Sequence, residues 1–226
     1  MPSQKLSVYT IKTSNGVTWY DIVEKLLSNS SDQERCIINE QADFYIGGCY
    51  LLETIHNQTQ YNVEEGKFEI VPVKRLNILK FDVFAQNQTL LLWGGKKVAS
   101  AFLTAIERAS NRQIVLDYKD SDFRKMVEYL VSNPEISFSR MRITDIVIDH
   151  GILANCSVNL RGQENERVLV KRYLDNISQL SVMIGSDELA VSMTIFSTGA
   201  VIVYRDRDDI PNEAMNFIND MFGGVM

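Results

Sequence analysis

The residues able to do chemistry are few and far apart. His56 and His150 are the only two histidines in 226 residues. Neither stands in the HExxH pattern that holds zinc on a helix or in the GxSxG turn that exposes a nucleophilic serine. His150 lies between Asp149 and Gly151, which reads as a hairpin turn. Asp117, Tyr118 and Lys119 close a short apolar run, in the order of the acid-x-lysine half of a metal-dependent nuclease site, where the carboxylate holds magnesium and the lysine steadies the attacking water. The second acid would have to be Asp82, with a whole predicted helix between them, so a solvated strand end is the simpler reading. Arg205, Asp206, Arg207, Asp208 and Asp209 lack the glycine and final glutamate of a calcium loop. They read as a solvated loop before the last helix. Gly47 and Gly48 lack the Lys-Ser/Thr that completes a phosphate loop and point to a bulge or a close backbone approach. No pattern calls for a metal or a cofactor, and the odd set Cys36, Cys49 and Cys156 reads as free thiols.

The basic residues are more informative as groups. Lys74 and Arg75, with Lys80 nearby, enter a predicted strand, and Lys96 and Lys97 follow Gly94 and Gly95 at a predicted helix start. Two ammonium groups beside the unpaired N–H groups of a helix N-terminus suit a phosphate. A second group, Arg161, Arg167, Lys171 and Arg172, runs along a predicted helix where Arg167 and Lys171 share a face. The alternative for that group is a solvated helix side with Glu164 and Asp175 as partners. Were both groups on one surface, they would hold a nucleic-acid backbone through contacts that ignore sequence and weaken with salt. The formal charge of −6 rules out a uniformly basic coat but is compatible with one basic face on an acidic body.

The elements that would position these groups follow from periodicity. Leu6 to Lys12 alternates as a strand, Asn15 and Gly16 mark a turn, and Thr18 with Asp21 opens a helix whose stripe is Trp19, Ile22, Val23, Leu26 and Leu27. Cys36 to Ile38 and Phe44 to Ile55 read as strands, Asn57 to Gly66 as a polar loop, and Lys67 to Val73 as an extended stretch that Pro72 assigns to an edge or a strand end. Leu76 to Ala85 and Thr89 to Trp93 form a hairpin. The helix behind it presents Val98, Phe102, Ala105, Ile106 and Ala109, and Ile114 to Leu116 is a further strand in the same sheet. Asp120, Ser121 and Asp122 cap a helix that runs to Ser132, and Asn133 and Pro134 stop it. Beyond this point come strands over Ile143 to Ile148 and Ile152 to Leu160, a helix over Gln163 to Gln179, and strands over Leu180 to Ile184, Leu189 to Phe196 and Ala200 to Tyr204. A closing helix follows with Ala214, Phe217, Ile218 and Met221 inward.

The expected fold is therefore α+β, in two subdomains (1–133 and 134–226), each an antiparallel sheet with helices packed on one face. No apolar run approaches the roughly 20 residues that span a bilayer and the first residues lack a signal peptide's apolar block, so a cytoplasmic protein with no membrane contact is expected.

The order of elements resembles two related groups of phage and recombination proteins. Leu79 to Leu130 is similar to the strand, turn, strand, helix, strand, helix run of the RdgC recombination-associated proteins, and Gly151 to Tyr204 to their later strand, helix, three-strand run. The opening, from Tyr9 through Trp19 to Leu27 and on to Phe44 to Leu52, resembles the start of the RexA phage-exclusion proteins. The resemblance implies a dimeric, non-catalytic protein that binds duplex DNA without reading its sequence, in phage defence or recombination control. The phosphate contacts would then be Lys74, Arg75, Lys96, Lys97, Arg161, Arg167, Lys171 and Arg172. A second expectation, from another class, is a protein-interaction module of the immunity, antitoxin or inhibitor kind that meets a basic protein. A metal-dependent nuclease using Asp82, Asp117 and Lys119 comes third.

Overall fold

The stretch Thr89–Trp93 is buried at all five positions, which a strand achieves only when both faces of its sheet are covered. The computed structural model of the chain describes residues 3–13, 18–28, 31, 33–119, 122–149, 152–185 and 187–223. The expected turns at Asn15–Gly16 and His150–Gly151, and the caps Asp120 and Ser121, lie outside the described residues. In chain order the elements are β1 (Gln4–Thr13), α1 (Trp19–Ser28), β2 (Glu34–Ala42), β3 (Tyr45–Asn62), β4 (Lys67–Phe84), β5 (Thr89–Trp93), α2 (Lys96–Ala109), β6 (Ile114–Tyr118), α3 (Phe123–Ser132), β7 (Ile136–Asp149), β8 (Ile152–Asn159), α4 (Glu166–Arg172), β9 (Ile177–Ile184), β10 (Val191–Phe196), β11 (Val201–Val203) and α5 (Asn212–Gly223). The fold is mixed α and β, mostly sheet.

All eleven strands belong to one antiparallel sheet in the order β2-β3-β4-β5-β1-β11-β10-β9-β7-β8, with β6 added beside β1. The two series of strands expected from the sequence are joined where β1 pairs with β11, Leu6 opposite Val201 and Gln4 opposite Val203. Since successive residues of a strand point to opposite faces, register assigns each core to a face. Leu90 and Leu92 face a cluster built with Leu79, Phe81 and Val83 of β4, over which α1 and α2 lie with Ile22, Leu26, Phe102 and Ile106. Phe102 stacks on Phe81 with ring centroids 4.7 Å apart, and burying such a ring stabilises by about 1.5–3 kcal/mol. Leu91 and Trp93 face the other way, with Leu6 and Val8, into a cluster that α3, α4 and α5 complete. Helix α3, on the N-terminal side of the expected division at residue 133, packs with these C-terminal elements through Met126, Val127, Leu130 and Val131.

The helices cover only part of each face. On the side of α1 and α2, Arg140 and Arg142 of β7 are exposed, Gln179, Ser181 and Ile202 are half-buried and Thr194 is buried; on the other side, Ile55, Phe68 and Ile70 in the outer parts of β3 and β4 are exposed.

Local chemistry explains the ends of several elements. Thr18 and Asp21 cap α1 reciprocally: the Thr18 N–H donates to the Asp21 carboxylate at 2.8 Å and the Asp21 N–H to the Thr18 hydroxyl at 3.3 Å. Asp122 caps α3 by accepting from the Lys125 N–H. Gly48 stands where a Cβ would meet the Ile37 carbonyl at 2.4 Å and the Phe81 ring at 2.8 Å, so this glycine serves close backbone approach.

Three expected elements are different, the first being the strand expected from Ile143, which begins at Ile136 as β7. The polar loop over Asn57 to Gly66 is strand as far as Asn62, paired residue for residue with β4 up to Asn62 opposite Lys67 and closed by a turn over 63–66. Asn57, Gln58, Thr59 and Gln60 of β3 are polar at four successive positions, so this half of the ribbon reads as loop. Pro72 sits in the other half, where β4 has a strand on one side only, as a proline in a strand requires. The long helix over Gln163 to Gln179 ends at Arg172, and Ile177 opens β9 opposite Ile143. The period-2 pattern of Ile177 to Ile184 overrides the helical spacing before it.

Candidate nucleic-acid interface

The open face on the α2 side has a regular floor. One row of directly paired residues crosses six strands: Asn159 on β8, Arg140 on β7, Ser181 on β9, Thr194 on β10, Ile202 on β11 and Lys5 on β1. A shorter row beside it holds Ser157, Arg142 and Gln179. At about 4.8 Å per strand, Arg140 and Lys5 stand roughly 19 Å apart, with Ser181, Thr194 and the apolar Ile202 between them.

The middle of that floor is a groove of about 340 Å³, lined among others by Ser139, Arg140, Arg161, Gln179, Ser192 and Tyr204. Its hydroxyls are held in place. Ser181 and Thr194 share a hydrogen bond of 2.9 Å, and Ser139 donates to the Ser181 carbonyl at 3.1 Å. No carboxylate lines the groove among the described residues. Arg140, Arg142 and Arg161 are exposed, and their guanidinium groups form no ion pair among the described residues. Such groups over fixed hydroxyls can hold phosphate oxygens through charge-assisted hydrogen bonds, and Tyr204 at the rim offers a ring on which a base can stack.

The eight basic residues expected to meet phosphate are divided between the sides of the sheet. Arg161 lines the groove. Lys96 and Lys97, in the first turn of α2, flank the same face, because Gly94 just before them donates to the Lys5 carbonyl at 3.0 Å. Arg75 also points to that side of β4, farther out, sharing its parity with Leu79 and Phe81. Lys74, one residue earlier, points to the opposite side and pairs with Glu53 at 2.8 Å. Lys171 and Arg172 end α4, which packs on the far side through Val170.

Arg167 is committed elsewhere. It donates to the carbonyls of Val131 at 2.5 Å and Ile136 at 2.6 Å, and its guanidinium lies 5.6 Å from the centre of the Phe138 ring. It thus satisfies carbonyls where α3 ends and β7 begins. No family model matches the chain, and no curated protein matches it.

The acids of the nuclease reading are held in separate contacts. Asp82 is fully buried and accepts from Trp93 Nε1 at 2.6 Å, Tyr45 Oη at 2.5 Å and Arg207 Nε at 3.0 and 3.1 Å. Burial and the Asp82 carboxylate push the Tyr45 phenol far up, keeping it a donor. Asp117 pairs with Lys12 at 2.6 Å, and Lys119 donates to the Phe222 carbonyl. Among the described residues no three His, Cys, Asp or Glu side chains lie together as metal ligands.

The expected solvated loop over Arg205 to Asp209 is instead tied down at three points. Arg207 enters the Asp82 site, Lys80 bridges Asp206 and Asp208, and Arg205 donates to the carbonyls of Leu189 and Ala190 at 2.8 and 3.2 Å. Alternating charges in sequence concealed that contrast. Arg140 and Arg142 were missed because the expected strand began at Ile143, whereas β7 begins at Ile136 and carries both on one face.

Proposed function

We propose that this chain is a non-catalytic nucleic-acid-binding protein, with duplex DNA as its first candidate ligand, that holds the phosphate backbone on its open sheet face without reading base sequence. The observation that carries this is the groove lined by Arg140 and Arg161, with Arg142 in the next row of the sheet, where among the described residues no carboxylate lines the groove and none pairs with these three guanidinium groups. Lys5, Lys96 and Lys97 extend the cationic path along the same side. The net charge of −6 keeps the rest of the surface from binding polyanions indiscriminately and so concentrates binding on this face.

In this reading residues 1–133 and 134–226 act as two subdomains, the second carrying the groove and the first contributing the lysines of α2. A cytoplasmic role in phage defence or recombination control is part of the proposal, by the resemblance in element order. Among the described residues no helix is long and apolar enough to cross a membrane.

The test is fluorescence anisotropy of a labelled random duplex over a salt series, with and without magnesium, checking the DNA for cuts. Three to five phosphate contacts predict a slope of log K on log salt of about −3 to −5. R140A/R142A should weaken binding of every sequence alike and lower the slope by about two. No binding at low salt, or binding indifferent to salt, would remove this reading in favour of a protein-interaction module. Cleavage in magnesium would put the nuclease first.

A further inference from the structure

Strands β3 and β4 run on past the rest of the sheet. β2 leaves β3 at Leu52, opposite Glu34, and β5 leaves β4 at Lys80, opposite Trp93. From Glu53 opposite Leu76 to Asn62 opposite Lys67, the two strands form a ribbon with no third strand on either side among the described residues. At about 3.3 Å per residue this arm is roughly 30 Å long.

Register sorts its two faces. One carries Thr54, His56, Gln58, Gln60 and Asn62 opposite Arg75, Val73, Val71, Glu69 and Lys67, mostly polar and with only the half-buried Val71 and Val73 apolar. The other carries Ile55, Tyr61, Phe68, Ile70, Leu76 and, at the base, Ile78, each 55–73% exposed. With whole side-chain areas of about 150–250 Å², these six expose on the order of 700–800 Å², above the roughly 600 Å² reached by the largest apolar patch of an ordinary monomer. A two-stranded ribbon is also only marginally stable in water without a covering layer.

Charge decides what covers it. Between residues 53 and 77 the acids Glu53, Glu64, Glu65 and Glu69 outnumber the bases Lys67, Lys74 and Arg75, so the arm is a poor ligand for nucleic acid. Its apolar face carries only two charges, Glu53 and Lys74, which pair with each other at 2.8 Å. A face with one acid and one base meets its own two-fold copy without like-charge repulsion, and a self-complementary patch is what an isologous dimer needs. The exposed area matches the roughly 800 Å² that each partner gives to a standard interface.

We infer that the apolar face of this arm is covered by the same face of a second copy of the chain, so that two crossed arms form the homodimer interface. The groove on the opposite face of the sheet stays free in such a dimer, and binding there is tested separately from assembly.

Sedimentation velocity on the full chain over about 1–100 μM tests this. The expected result is a dimer for the wild type and for Q58E/Q60E, which alters the polar face of the same arm. F68E/I70E should be monomeric, its dissociation constant raised at least about 100-fold, with circular dichroism unchanged because both side chains are exposed in the single chain, and with a urea midpoint that no longer depends on protein concentration. Should the glutamates disturb the ribbon, F68S/I70T gives the same reading with strand-compatible residues. A wild type that is monomeric at about 100 μM overturns the inference. So does a dimer that survives F68E/I70E, which would place the interface at the β2 or β8 edge, and so does a Q58E/Q60E variant as monomeric as F68E/I70E.

Discussion

Asp82 on β4 and Arg207, 125 residues farther along the chain, meet as a buried ion pair, with Nε 3.0 and 3.1 Å from the two carboxylate oxygens. This contact fastens the segment between β11 and α5 to the middle of the N-terminal strands. Removing the cation leaves a carboxylate in the core with only Tyr45 and Trp93 as donors. We expect Arg207→Ala to destabilise by about 3–5 kcal/mol, read as a lowered urea midpoint. The double variant D82A/R207A should lose less than the two single variants added together, since the groups share one network.

Arg167 and Arg140 separate structure from binding. Arg167→Ala strips donors from the carbonyls of Val131 and Ile136 and should cost about 1–3 kcal/mol of stability, leaving affinity for duplex DNA unchanged. Arg140→Ala should do the reverse, weakening binding with no change in the urea midpoint. Paired denaturation and anisotropy measurements distinguish the two arginines.

The Lys80 contact with Asp206 and Asp208 should be lost at both pH extremes. The hydrogen bond from Lys80 lowers the Asp206 carboxyl below its ordinary value of 3.8, so its stabilising share is present above that value and disappears as pH falls through the folded pKa. Burial alone would lower the Lys80 ammonium, but its hydrogen bonds to Asp206 and Asp208 outweigh that and raise it above 10.5. Its share is therefore present below 10.5 and is lost as pH rises through the folded value. The stability difference between wild type and Lys80→Met should be widest between those limits and shrink at either end, measured by urea unfolding across pH.

Cys36 should be chemically silent while the chain is folded. Burial, and then the neighbouring Cys49, push its thiol up to about 12, so almost no thiolate exists at neutral pH. Alkylation at mildly basic pH followed by peptide mass mapping should leave Cys36 unmodified in the native protein and modify it fully in urea.

Much of the fold was legible residue by residue. The stripe of α2, with Phe102, Ala105, Ile106 and Ala109 inward, follows from helical spacing, as does the face of α5 with Ala214, Phe217, Ile218 and Met221. The hairpin β4–β5 and the strand β6, which pairs with β1, are equally clear in the pattern. Of the outer arm, Ile55 and the extended stretch from Lys67 to Val73 were legible, but Asn57 to Asn62 was not, because Asn57, Gln58, Thr59 and Gln60 are all polar and look the same in a loop. Of the candidate site, Arg161, Lys96 and Lys97 were found by clustering along the chain; Arg140 and Arg142 were not, since both lie before Ile143, where the strand was expected to begin, and only the longer β7 puts them on its open face.

Local interactions decided what the sequence determined alone: which segments become helix or strand, where Thr18 and Asp122 begin helices, and the alternation that gives each strand a wet and a dry side. Tertiary structure decided what local energetics leave open. The pairing of Leu6 with Val201 joins the strands into one sheet and sends the helices of its two ends to opposite faces. That placement leaves Arg140 and Arg161 in the open while Arg167, from the same stretch of chain, is spent on the carbonyls of Val131 and Ile136. A side chain's charge is written in the sequence, but whether it meets water, a carbonyl or a carboxylate depends on partners that only the folded chain brings within reach.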